Sequence, residues 1–137
     1  MLRDRSVVAG AACALALAVG LAQAAPPPDE QERNENATQV AKAWFVSLMQ
    51  GETAVTTALS AVPFAFDAKH EVRSLQDLKT LYDQVVAKKG KRDLKPTATK
   101  IKSSSPESVE VVLMIEDEGI AVHVKPGDAF RVVGFRD

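Results

Sequence analysis

Cysteine is almost absent from this 137-residue chain, and aromatic residues make up only 5% of it. The one cysteine, Cys13, lies inside an N-terminal apolar run. Beyond that run no disulfide, thiolate nucleophile or cysteine-ligated metal can form. A dominant charge is missing too. The 17 basic and 18 acidic residues give a formal net charge of −1, which excludes a nucleic-acid binder working by bulk electrostatics. Outside the N-terminus no apolar run is long enough to span a bilayer. There is no Gly-x-Ser-x-Gly and no glycine-rich phosphate loop, so serine catalysis and nucleotide binding have no support. These absences leave a domain held together by its core alone, and this length supplies one such core.

The N-terminus reads as an export signal. Arg3 and Arg5 precede an apolar or small run from Val7 to Leu21, and Ala22-Gln23-Ala24 offers a small-x-small cleavage site. Residues 1–24 are therefore expected to be a signal peptide, with the product periplasmic or secreted. Gly10-Ala11-Ala12 lacks the large apolar residue of a lipid-modified site, which makes Cys13 a bystander. Residues 25–36, rich in proline and then in charged and amide groups, read as a flexible linker. Residues 37–137 read as one domain.

Periodicity within that domain predicts three helices and then strands. The first helix spans about Ala37 to Met49, capped by Asn36, with Val40, Ala43, Trp44, Ser47 and Leu48 along one stripe. The second, about Thr53 to Ser60, presents Val55 and Leu59. Val62, Phe64 and Phe66 alternate as a strand does, with a partner strand at residues 70–73. The third helix has Ser74 and Asp77 as a capping pair, Leu75, Leu78, Leu81, Tyr82, Val85 and Val86 at helical spacing, and Gly90 at its end. Four strands follow, over residues 94–103, 107–116, 119–125 and 129–136.

In the strand at 107–116, Val109, Val111, Leu113 and Ile115 share one face, and Glu110, Val112, Met114 and Glu116 the other. In the next strand Ile120, Val122 and Val124 oppose Ala121, His123 and Lys125. One apolar face and one mixed face predict an antiparallel sheet covered by helices on one side. The mixed face, with Val112, Met114 and Ala121, suits a sheet-to-sheet homodimer.

This order of elements, with Phe64-Ala65-Phe66-Asp67 before the third helix and Val132-Val133-Gly134-Phe135 near the end, resembles the nuclear transport factor 2-like superfamily. That superfamily includes SnoaL-like (polyketide-cyclase-like) and ketosteroid-isomerase-like domains. The resemblance covers about residues 37–137. It implies an α+β cone in which a curved, mostly antiparallel sheet wraps three helices of the N-terminal half, with an apolar pocket at one end. Its members include enzymes, binders and association domains, so the fold alone does not choose a function.

Asp67 is the sharpest catalytic candidate, because by position it resembles the general base of ketosteroid isomerases. The oxyanion donors such a base needs have no counterpart here: the first helix has Trp44 and Phe45 but no tyrosine, and the late strands present Ile120, Val122 and Val124. Asp67, His70 and His123 together resemble the aspartate and histidine pair of dehydratases of similar fold. Their spacing forces no convergence, and no metal site is expected. Trp44, Phe64, Phe66 and Tyr82 are the expected pocket walls, with Tyr82 as the polar group inside. Seven of the 17 basic residues fall between Lys88 and Lys102. They suit a helix C-terminus and a solvated strand, or an anionic partner surface. The expectation is a non-catalytic binding or association module that uses no cofactor and takes a small apolar ligand or a protein partner. An isomerase or lyase using Asp67, and a dimerisation module without a ligand, are the alternatives.

Overall fold

The computed structural model describes residues 28–66 and 69–136. The signal segment, the start of the linker and Asp67 lie outside the described residues. The chain divides into two units, Met1–Gln31 and Glu32–Asp137. Of the first, only residues 28–31 are described, and they are helical. The second carries the domain.

Helix α1 is Pro28–Met49. It starts nine residues before the expected Ala37, so residues 28–36 are helix and not a flexible linker. The physical reason is local. Pro28 sits at the first helical position with its φ already suited, Asp29 and Glu30 complement the helix dipole, and the polar run after them is rich in good helix formers. Absence of apolar periodicity there meant exposure, not disorder. The buried stripe is Ala37, Ala41, Trp44, Phe45, Ser47 and Leu48. It is rotated from the expected one, since Val40 is half-buried and Ala43 exposed.

Helix α2, Thr53–Ala58, buries Thr53 and Thr56, whereas Val55 is 48% exposed. This reverses the expected face. The cause is hydrogen bonding: the Thr56 hydroxyl meets Ser47 Oγ at 2.7 Å, and Thr53 donates to Asp83. Helix α3, Leu75–Lys89, is as expected. Ser74 Oγ accepts from the Asp77 amide at 3.1 Å, and Gly90 closes the helix at φ +80°.

The strands are β1 (Ser60–Ala65), β2 (Glu71–Val72), β3 (Ala98–Ser104), β4 (Val109–Ile115), β5 (Glu118–Lys125) and β6 (Arg131–Arg136). They form one sheet in the order β2-β1-β6-β5-β4-β3. All pairs are antiparallel except β1 with β6, which run parallel. Val109, Val111 and Leu113 pair with Val124, Val122 and Ile120, so the apolar faces of β4 and β5 coincide as the alternation predicts. Together with Phe64, Leu78, Tyr82 and the buried face of α1 they form one core. β3 is an edge, and its Lys100 and Lys102 are exposed, which guards that edge against pairing.

One irregularity positions the site. Val124 pairs with Val132, while Val122 pairs with Phe135, so β6 carries one extra residue between these pairs. Strict alternation from Val132 would turn Phe135 outward. The bulge brings Phe135 to the same face as Val122.

Candidate functional site

Five of the seven aromatic residues meet at one end of the helix-covered face. Trp44 stands 5.4 Å from Phe135 and 6.3 Å from Phe64, centroid to centroid; Phe66 is 5.2 Å from Phe64 and 5.5 Å from Phe135. Tyr82 meets Phe64 and Trp44 edge-on. Such tilted and edge-to-face pairs are favoured by the ring quadrupoles and stiffen the wall they form.

In front of this cluster lies a cavity of about 500 Å³. Helix α1 supplies Trp44, Phe45, Leu48 and Met49, and α3 supplies Val85 and Lys89. Phe66 follows β1, Ile120 comes from β5, and Phe135 and Arg136 from β6. Among the described residues the lining is apolar apart from two cations, and it includes no carboxylate and no histidine. A second cavity of about 580 Å³ shares Phe66, Val85 and Phe135 with the first. Its other walls are more polar: Lys69, His70 and Glu71, with Val72 and Leu81.

The expected pocket residues divide. Trp44 and Phe66 line the first cavity. Phe64 and Tyr82 stand behind it, 0% and 1% exposed, and line neither cavity. Tyr82 is thus a core residue whose hydroxyl is already used. Trp44 Nε1 donates to it at 3.0 Å, and Ser60 Oγ lies 2.8 Å away. Burial pushes the Tyr82 phenol up to about 12, against the opposing effect of its bonds to Ser60 and Trp44.

His70 closes the β1–β2 hairpin, its carbonyl accepting from the Phe66 amide at 3.0 Å, and its exposed side chain lines the second cavity. Glu71 beside it is paired with Arg73 at 2.7 Å. His123 is half-buried in β5, in register with Glu110 and Gly134. It therefore does not meet His70. Among the described residues no three His, Cys, Asp or Glu side chains gather as a metal site would require.

The mixed sheet face is anchored by a charge that the strand pattern did not predict as buried. Glu110 is 9% exposed, with Arg136 at 3.2 Å and Lys102 at 3.8 Å. Val112, Met114 and Ala121 on the same face are half-buried. Sequence reasoning missed Phe135, Met49 and Val85 as cavity walls. Val85 was legible in helical spacing, but the face of Phe135 depends on the bulge, which strand alternation does not reveal.

No family model matches this sequence, and no curated protein matches it. Solved structures do. A protein of cystatin-like fold and unknown function from Nostoc punctiforme aligns over 75% of this chain and 87% of its own, at 8% identity and a TM-score of 0.56. A provisionally assigned ketosteroid isomerase from Shewanella frigidimarina aligns over 74% of this chain and 93% of its own, at 14% identity and TM-score 0.54. A provisionally assigned dehydratase of the NTF2-like family from Streptomyces avermitilis aligns over 80% and 96%, at 9% identity and TM-score 0.53. At such identities these likenesses concern the fold alone. Among the described residues no helix is long and apolar enough to cross a membrane.

Proposed function

We propose that this chain of nuclear transport factor 2-like fold is an exported, non-catalytic binding module whose cavity takes a small apolar molecule. The observation that carries the reading is the lining of the first cavity. Eight apolar side chains enclose a volume suited to a small ligand, and no carboxylate or imidazole among the described residues lines it. The Tyr82 hydroxyl is buried behind the wall and spent on Trp44 and Ser60. General acid–base chemistry needs a titratable group within reach of the substrate, and the described lining offers no acid or imidazole for it, only the cations Lys89 and Arg136.

Phenylnaphthylamine, an apolar fluorophore, tests the reading. Saturable binding to the full-length chain with quenching of Trp44, its one tryptophan, is expected. Val85→Phe, which narrows both cavities, should weaken that binding about tenfold, the loss of roughly one well-packed contact surface. Absence of saturable binding refutes the proposal.

The second cavity favours a rival, an isomerase or lyase using Asp67 with His70, because His70 lines it beside an apolar wall. Under the binding reading, Asp67→Asn and His70→Gln leave phenylnaphthylamine affinity unchanged. The alternative of a dimerisation module rests on the half-buried Val112, Met114 and Ala121 of the outer sheet face. Sedimentation over a range of concentrations tests for a second copy there. Export rests on the pattern of residues 1–24, and N-terminal sequencing after bacterial expression should find Ala25 first.

A further inference from the structure

We propose that the apolar cavity selects an amphiphile with a single anionic head, with Lys89 at the rim as its counter-charge. The inference rests on the reading of this cavity as a ligand site and specifies what enters it. Charge complementarity carries it. Among the described residues, the only charged groups in the lining are Lys89 and Arg136, both cationic.

The two cations are not equivalent. Arg136 is already engaged by Glu110 at 3.2 Å, on the side of the sheet away from the core. Lys89 is the last residue of α3, is exposed, and has no carboxylate partner among the described residues. Its ammonium can turn toward the cavity mouth on a flexible stem while the stem covers apolar wall. The carbonyls ending α3 carry partial negative charge, so without the lysine this rim would disfavour an anion. Apolar walls strengthen the pairing by excluding water from one side of it. A cationic amphiphile would meet two like charges and no acid among the described lining residues. A neutral one would gain only the burial of its apolar body. A medium-chain fatty acid is the simplest molecule with the required chemistry.

The experiment displaces phenylnaphthylamine from the full-length protein with decanoate, decanol or decyltrimethylammonium, and repeats each titration with Lys89→Gln and Lys88→Gln. Decanoate should displace the probe, and decyltrimethylammonium should be weaker than decanol. Lys89→Gln should weaken decanoate about fivefold, the size expected of a partly solvated ion pair, with decanol unchanged. Lys88→Gln, outside the lining, should leave both unchanged. Equal losses of decanoate affinity in the two lysine variants would reduce the effect to general surface charge and overturn the inference. So would a Lys89→Gln protein that binds decanoate as before, with ligand binding itself intact. If phenylnaphthylamine does not bind at all, the binding reading fails first, and the inference with it.

Discussion

Replacing Tyr82 with phenylalanine removes one oxygen from the centre of a directional hydrogen-bond chain. Ser60 Oγ donates its single proton to the Thr56 carbonyl at 2.7 Å. It can therefore only accept from Tyr82, at 2.8 Å, and Tyr82 in turn accepts from Trp44 Nε1 at 3.0 Å. In Tyr82→Phe the ring still fills its place, so no large cavity opens. Ser60 keeps its bond to Thr56, but the indole N–H, in a side chain 1% exposed, loses its acceptor. A buried unsatisfied donor of this kind costs about 2 kcal/mol. Ser60→Ala should cost about 1 kcal/mol, since it strands the phenolic proton instead. Because the two substitutions break one chain, the double variant should cost clearly less than both together. Urea unfolding followed by Trp44 emission measures all three, with an unchanged denaturant slope as the sign that the comparison is sound. A loss below about 0.5 kcal/mol for Tyr82→Phe, the range of ordinary surface substitutions, would refute the chain, as would strict additivity.

Tyr82 also sets an alkaline limit. Its folded value, about 12, lies above the ordinary 10, so its contribution is complete below pH 10 and is lost as pH rises from there toward 12. A displacement of that size is worth about 3 kcal/mol. As the only tyrosine, it can be followed by tyrosinate absorbance, which should appear together with unfolding and not before it. Gly134→Ala should destabilise by about 1–3 kcal/mol through crowding, because the new Cβ would lie 2.8 Å from the Ala65 carbonyl oxygen of the parallel neighbour. Gly90→Ala meets nothing within 4 Å, so its expected cost, roughly 1–2 kcal/mol, is conformational strain at φ +80° alone. Thermal unfolding compares the two. Ser74→Ala should cost about 1 kcal/mol by removing the α3 cap, read by the same assay.

Local chemistry by itself determined a good deal of this protein. The α3 helix, from its Ser74 cap to Gly90, was legible because cap, periodicity and terminator agree over fifteen residues. The apolar faces of β4 and β5 were legible because Val109, Val111, Leu113 and Ile115, and then Ile120, Val122 and Val124, fall at alternate positions, and β1 because Val62, Phe64 and Phe66 do the same. Where short-range signals were weak or opposed, the reading went astray. The polar start of α1 carries no apolar stripe, so periodicity could not reveal it, and α2 buries threonines because hydrogen-bonding partners on α1 and α3 await them. The second fact is not a property of the segment concerned.

The cavity belongs to the tertiary structure. Trp44 and Phe66 were recognisable as walls from their type and position, but the exclusion of Tyr82 follows from contacts with Trp44 and Ser60, which lie 38 and 22 residues away. Phe135 reaches the cavity only because one extra residue in β6 shifts its register against β5. Side-chain alternation in a strand is a local rule, and it holds until pairing with a neighbour inserts a bulge. That pairing is a long-range event, and the face on which Phe135 lies was decided there.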